Sequence, residues 1–448
     1  MNSGIAGVIY LRCFSQPYRL PNSRESYLPI SASSQITTGR WYFTATASGR
    51  HQALSCDVFM SSRWEIRVMS QPEKVTSRSA RSLNIELLRI LAMLLVVYCH
   101  MIIHVDFTNG ISRIVLPMYP GWKSAISFTI VQYGQVGVSI FFMISGYFLV
   151  KKHFSWRRIF STWFQMFLYA VLCLVIAFVA KQFLTLPFGT NELLSGSQSL
   201  DTVLWSLCPF LYNSYWFIDA YILMLFLSPF INAIYAHMSQ KQVLALIALL
   251  MFIGTWPLFF SRVNYWNNVV YAVLGYAIGA YIQTYRDSLR AISNSALAIC
   301  TILCTALMLG FNHFVLSGSR WAQRLTWTGQ IHQGLQILPI CIAFCFFVAT
   351  CRLPQLRLPH VWSTFLLQVS AGTFGVYLLH ENTFGFRFVW GAVAACLPNI
   401  SSKSDFILTC LATGLLTFIV LDIIAMLIDG LLTHPLRKFI INKTKGTK

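Results

Sequence analysis

The sequence predicts an all-α polytopic membrane protein of about ten transmembrane helices with both termini cytoplasmic, and three observations carry that expectation. The 448 residues are 56% hydrophobic and 10% charged, with a mean hydropathy of +0.61, values outside the range of soluble globular chains. Runs of about 20 apolar residues recur along most of the chain, each long enough to cross roughly 30 Å of hydrocarbon. Lys and Arg then fall unevenly on alternate connections, the asymmetry that sets orientation.

Ten such runs lie near residues 84–104, 127–150, 159–181, 215–236, 242–260, 268–285, 291–315, 332–351, 364–386 and 406–432. The sixth is short, and its Gly275 and Gly279 have the small-xxx-small spacing of closely packed helices. With the amino terminus inside, the inner segments hold seventeen basic residues, from Lys74, Arg78 and Arg81 before the first span to Arg437, Lys438, Lys443, Lys445 and Lys448 after the last. The outer ones hold eight: Arg113, Lys123, Lys181, Arg262, Arg320, Arg324, Arg387 and Lys403. The longest outer connection, about 182–214, contains Gly, Ser and Asn and has the length to cover an outward-facing site.

Residues 1–68 show neither helical periodicity nor the apolar core of a signal peptide, while Trp41, Tyr42, Phe59 and Trp64 set them apart from ordinary disordered tails. Met69 opens a short basic lead into the first span. The expected organisation is therefore an N-terminal extension over 1–81, unstructured or a misplaced start with Met69 as the true beginning, a ten-helix membrane domain over 82–435, and a basic cytoplasmic tail over 436–448.

The net charge of +19 is spread over short loops and forms no continuous basic stripe, so nucleic acid is not an expected partner. Of twelve cysteines, Cys99, Cys173, Cys304, Cys341, Cys345 and Cys410 lie inside apolar runs and no CxxC pair appears, so neither a disulfide framework nor a metal site is indicated.

Polar residues inside the spans localise function. Ser82–His104 carries Glu86, Arg89, His100 and His104 in a run that a purely structural helix would keep apolar. Eleven helical steps separate Arg89 from His100, nearly three full turns, which puts both on one stripe about 16 Å apart along the axis. Charges in hydrocarbon cost several kcal/mol unless they face protein or a wet cavity. Glu86 and Arg89 have a structural explanation as an i,i+3 pair anchoring the cytoplasmic end, whereas His100 lies past the middle of the span and cannot reach that interface. Asp219 and Asp422 sit in the fourth and tenth spans, where isolated acids are commonly interfacial. His380 and Glu381 lie within the ninth span, about 100° apart on a helix. The cluster KKHFSWRR at 151–158 reads either as a positive-inside anchor or, through Arg157 and Arg158, as a holder of ligand phosphates.

These residues carry a resemblance. Arg89, ten intervening residues and His100, preceded by Glu86, resembles the first-helix signature of the acyltransferase 3 family of integral-membrane acyltransferases. FFMISGYFL at 141–149 is similar to that family's FF-x-x-SG-aromatic motif, YWFIDAYILMLFLSPFIN at 215–232 to its WF-x-x-x-Y…P segment, and FGVYLLHE at 374–381 to its late Y-x-x-H segment. The resemblance implies ten membrane helices, cytoplasmic acetyl-CoA as the usual donor, and transfer of an acetyl or similar group to a hydroxyl of a surface glycan or lipid-linked precursor at the plasma or inner membrane. It makes Arg89 and His100 the functional pair and puts Arg157 and Arg158 in the family's arginine-rich cytoplasmic loop, which WRRIF preserves loosely.

Chemistry assigns the remaining roles. O-acylation needs a base for the acceptor hydroxyl, stabilisation of an oxyanion and a place for an anionic donor. His100, with Glu86 and Arg89 on the same stripe, supplies the catalytic candidates, His100 as base because an imidazole titrates near about 6.5. Arg89, Arg157, Arg158 and Ser145 are the donor-binding candidates; Trp216, Asp219, Tyr221, His380 and Glu381 are the acceptor-binding ones. Direct transfer is preferred over an acyl-enzyme at Ser145 or a histidine, since no GxSxG elbow is present. The competing class is a transporter or flippase, which predicts matching internal repeats with broken helices that the sequence lacks.

The charge asymmetry makes orientation testable. In a background without native thiols, Ser195→Cys and Lys403→Cys should react with an impermeant thiol reagent from outside, and Ser155→Cys and Ser288→Cys should not. Labelling of residue 155 from outside would invert the topology.

Overall fold

The computed structural model describes residues 32–37, 40–47, 50–51, 82–105, 122–186, 190–195, 198–255, 267–316, 337–396 and 403–445. Met69 and its basic lead lie outside them. The chain divides into two compact units, Met1–Ala80 and Arg81–Lys448. In the first, strands β1 (Ala32–Thr37), β2 (Arg40–Ala47) and β3 (Arg50–His51) form an antiparallel sheet in the order β1-β2-β3, with Gln35 opposite Tyr42 and Ile36 opposite Trp41. Threonines and aromatics favour such strands, an element that helical periodicity could not announce.

The second unit is helical: α1 (Leu83–His104), α2 (Trp122–Leu149), α3 (Trp156–Ala180), the short α4 (Thr190–Leu193), α5 (Gln198–Leu207), α6 (Trp216–His237), α7 (Gln240–Thr255), α8 (Asn268–Thr284), the short α9 (Arg286–Leu289) and α10 (Asn294–Leu316). It continues with α11 (Ile337–Arg352), α12 (His360–His380), α13 (Gly385–Cys396), α14 (Lys403–Ile428), a π-helical turn at Asp429–Thr433 and α15 (His434–Lys445). Among the described residues, seven helical segments are long and apolar enough to cross a membrane: those of α1, α2, α3, α6, α10 and α12, and the run Leu408–Ile440 through α14 and α15. The three other expected spans fall on α7, α8 and α11, helices of 16, 17 and 16 residues. Residues 436–445, expected as part of a basic tail, continue the last helix as α15.

Helix α2 is the centre of the bundle, packed against α1, α8, α10 and α11, while α12 packs between α1 and α14. The approach of α2 to α8 is set by two glycines. A side chain on Gly279 would collide with the Met143 carbonyl, and one on Gly146 with the Tyr276 carbonyl. The small-xxx-small reading of α8 therefore holds, and its role is packing. Tyr276 Oη donates to Asn232 Oδ1 at 2.7 Å, and Asn232 Nδ2 donates to Leu149 O at 3.0 Å, tying α6 to the same seam.

The register of α12 on α1 is fixed at their amino-terminal ends. Asn84 Nδ2 donates to Leu353 O at 3.2 Å and Pro354 O at 2.9 Å, and its Oδ1 accepts from Leu356 N at 3.1 Å. Residues 354–359 cannot continue α11, because Pro354 and Pro359 interrupt the amide ladder, and Asn84 satisfies the backbone groups they leave over. Helices α1 and α12 consequently start together and run in the same direction.

Close packing at Gly279 contrasts with Gly310, which has no neighbouring atom within 4 Å of an added Cβ. Gly279→Ala should lower the thermal unfolding temperature of the detergent-purified protein, by an overpacking cost of about 1–3 kcal/mol. Gly310→Ala should be neutral or stabilising by about 0.4–1 kcal/mol. Equal effects at the two positions would refute this account of the α2–α8 seam.

Candidate active site

The polar residues of α1 form two layers, both completed by α12. In the first, near the helix start, Arg89 pairs with Glu86, and Ser370 of α12 donates to Glu86 while accepting from Arg89 Nη1 at 3.3 Å. Glu86 is buried and Arg89 half-buried, so the carboxylate is satisfied by two donors while part of the guanidinium stays accessible. Ser370 carried no sequence signal, being one hydroxyl in an apolar run.

The second layer surrounds His100. Its Nδ1 lies 2.9 Å from His380 Nε2, and His380 Nδ1 lies 2.7 Å from Val376 O. A carbonyl only accepts, so His380 carries its proton on Nδ1; neutral His380 then accepts at Nε2 from His100 Nδ1–H. That order leaves the proton-accepting position of neutral His100 on Nε2, where Glu381 Oε1 stands 3.4 Å away. Glu381 Oε1 is also 3.8 Å from His104 Nε2. Trp390 of α13 walls the group, its ring centroid 5.9 Å from His380 and 6.2 Å from His104.

Glu381 reaches this position because α12 ends one residue before it. The expected span through residue 386 is corrected here: His380 is the last helical residue, Glu381 is the C-cap, and a new helix begins at Gly385. Asn382 makes the break. Its Oδ1 accepts from Phe384 N at 2.9 Å and Gly385 N at 3.2 Å, capping α13, while its Nδ2 donates to Tyr215 Oη at 2.6 Å. Tyr215 in turn donates to Leu378 O at 3.3 Å, which docks the start of α6 on the end of α12.

A narrow cleft enclosing about 360 Å³ opens beside His100, lined by Met93, Val96, Cys99 and His100 of α1, Gly134, Gln135, Val138 and Phe141 of α2, Trp216 and Phe217 of α6, and Tyr377 of α12. Of the expected acceptor-binding residues, Trp216 lines it, and His380 and Glu381 touch His100 instead. Asp219 is buried with both carboxylate oxygens unpartnered and is not among the lining residues; Tyr221 stacks on Phe217 at a centroid distance of 6.3 Å. Asp422, expected at an interface, is likewise buried with Oδ1 unpartnered. Ser145 is buried, donates to Phe141 O of its own helix at 3.0 Å, and does not line the cleft.

Arg157 and Arg158 lie elsewhere, at the start of α3. With Ser155, Ser161, Thr162 and Arg437 of α15 they line an open pocket of about 690 Å³, where Arg437 Nη1 donates to Ser161 Oγ at 2.6 Å. Arg437 was legible only as a positive-inside charge.

Donor atoms of His100, His380 and Glu381 all lie within 4.8 Å of one another, a set that can hold a metal ion. The 2.9 Å between His100 Nδ1 and His380 Nε2 is nevertheless a hydrogen-bond length. Two ligands of one tetrahedral zinc stand about 3.3 Å apart, given bonds of about 2.0–2.1 Å. As arranged, the imidazoles bind each other.

Among known proteins, the family model described as an acyltransferase domain matches residues 82–426. No curated protein and no solved structure matches the chain.

The lower polar layer makes a graded stability prediction. Ser370→Ala removes one hydrogen bond to a charged group, worth about 1.5–3 kcal/mol. Glu86→Gln leaves Arg89 without its countercharge in a mostly apolar bundle, which costs about 3–5 kcal/mol for a buried pair and less where the guanidinium stays wet. Thermal unfolding in detergent should therefore rank native above Ser370→Ala above Glu86→Gln, and the reverse order of the two variants would sink the assignment.

Proposed function

The chain belongs to the acyltransferase family whose domain its residues 82–426 match, and from that premise we propose that it moves an acetyl or other short acyl group from cytoplasmic acyl-CoA to a hydroxyl of a cell-surface glycan or its lipid-linked precursor, at the plasma or inner membrane. The single observation that supports this reading most is the orientation of His100. His380 and Val376 hold its Nδ1–H, Nε2 is the position that takes a proton, and the ring lines a cleft.

The step balances without any further reactant. His100 Nε2 takes the acceptor hydroxyl proton as the oxygen attacks the thioester carbonyl carbon, forming a tetrahedral oxyanion. The carbon–sulfur bond then breaks, and the imidazolium returns the proton to the departing thiolate, so the products are an ester and free CoA thiol. Glu381, 3.4 Å from Nε2, faces the ring during the interval in which it is positive. An acid that orients and offsets a histidine in this way is a recurring arrangement in acyl transfer.

The donor is anionic, and Arg157, Arg158 and Arg437 around one pocket suit its phosphates, guanidinium forks being well shaped for such groups. Arg89 stands between the two ends, about 16 Å along α1 from His100 by helical rise. Its accessible face suits the polar arm of the donor.

The test is acceptor-dependent CoA release by purified protein given labelled acetyl-CoA and lipid-linked or polymeric glycan. His100→Ala should lower turnover by about 10²–10⁴, the usual worth of a general base, while leaving folding and donor binding intact. Arg89→Lys keeps charge but loses the planar fork and should also be strongly impaired. Because the two act as a unit, the double variant should be little worse than the poorer single one. Retention of most CoA release by His100→Ala would refute the catalytic reading.

A further inference from the structure

The cleft beside His100 has a second wall that the base does not explain. Helix α6 begins there, and it begins uncapped: Tyr215 at the N-cap makes no side-chain cap hydrogen bond. The amides of Ile218 and Asp219 donate to Tyr215 O at 2.9 and 3.1 Å, whereas those of Trp216 and Phe217 enter no backbone hydrogen bond among the described residues. A 22-residue helix thus directs free N–H groups and the positive end of its dipole at its first turn, and both residues of that turn line the cleft.

An independent observation concerns Tyr377. This residue lines the same cleft from α12, its side chain is 3% exposed, and its hydroxyl is buried with no hydrogen-bond partner. An unpaired buried hydroxyl costs about 1–3 kcal/mol and calls for a reason. Its ring is held on two sides, with centroids 5.5 Å from Phe217 and 5.9 Å from His380, so the hydroxyl is fixed between the start of α6 and the histidine layer. The neighbouring tyrosine shows the contrast: Tyr215 Oη both accepts from Asn382 and donates to Leu378 O.

We infer that the Tyr377 hydroxyl, together with the free amides of Trp216 and Phe217, is the oxyanion hole for the acyl thioester, on the wall of the cleft that faces His100. The inference rests on the acyl-transfer reading and adds its second catalytic element. As the hydroxyl oxygen attacks the carbonyl carbon, the carbonyl π electrons move onto oxygen; Tyr377 O–H and the amides donate to that oxygen without giving up a proton, and the charge returns to the carbonyl as the carbon–sulfur bond breaks. Preorganised donors in an apolar, water-poor site do most for such charge, because they need no reorganisation at the moment it forms. The ligand class they select is a carbonyl whose oxygen becomes anionic. A plain hydrophobic acyl pocket would need no free donors.

Tyr377→Phe removes the hydroxyl and keeps the ring. Turnover of acetyl-CoA with glycan should fall by about 10²–10³, as for loss of one oxyanion donor, with KM for acetyl-CoA within about threefold of native. The decisive readout is spectroscopic. In a His100→Ala background, which holds donor without consuming it, the infrared carbonyl stretch of bound ¹³C-acetyl-CoA should lie below its value in water, and adding Tyr377→Phe should move it back towards that value. A KM effect with unchanged kcat, or an unmoved carbonyl band in the double variant, would overturn the inference. Absence of acetyl transfer by the native protein would instead overturn the reading beneath it, so the two failures are distinct.

Discussion

The contact between α1 and α12 is the constraint on which the rest of the membrane unit depends. An apolar bundle cannot dissolve a carboxylate, a guanidinium and several imidazoles separately; each must find a partner inside the protein or reach water. Here the two helices satisfy one another at three heights: Asn84 on the connector before α12, Glu86 and Arg89 on Ser370, and His100 on His380 and Glu381. A slip of one turn, about 5.4 Å, would orphan all three sets at once, so the register is over-determined. The orientation of the His100 ring is therefore a property of the packing and exists before any substrate arrives.

The same seam explains why α12 stops where it does. Continued as a helix, Glu381 would point about 100° away from His380 and could not share His100 with it. Ending the helix at His380 frees Glu381 to turn towards His100 and His104, and Asn382 stabilises the break by capping α13 while holding Tyr215. One amide side chain thereby joins the end of α12 to the start of α6. The second wall of the cleft is placed by the interaction that releases the acid of the first.

Much of this was legible in the residues of α1 alone. Glu86 and Arg89 at i,i+3, and Arg89 and His100 eleven steps apart, define a stripe that survives in the structure as two layers. The glycines of α8 announced close packing, and they provide it. The partners on α12 were not legible in the same way. Ser370 is a single hydroxyl among apolar neighbours, and helical periodicity says nothing about which distant segment will face it. The end of α12 was hidden because FGVYLLHENTFGFRFVW stays apolar through the turn; only Asn382 and Gly385 mark it, a signal that a hydropathy window averages away. The seam of α1 on α12 is long-range, and a local pattern specifies which face needs a partner without specifying the partner.

A division of labour along the bundle follows. Helix α3 begins at the arginine pocket with Arg157 and Arg158, and its far end packs Leu174 and Ala177 against Phe384, beside Glu381. Its 25 residues thus connect the cationic pocket to the histidine layer over about 37 Å of helical rise. A donor with a strongly anionic head and a reactive thioester at the end of a long neutral arm fits such a layout better than any compact one. Its phosphates need guanidinium groups at a wet surface, where desolvation is cheap, and its carbonyl needs fixed dipoles in a dry cleft, where each is worth most. Placing both functions together would have put arginines beside His100, where their charge would oppose the imidazolium that the reaction must form. Separating them keeps Glu381 as the near charge on that ring, with Arg89 held a layer below and offset by Glu86.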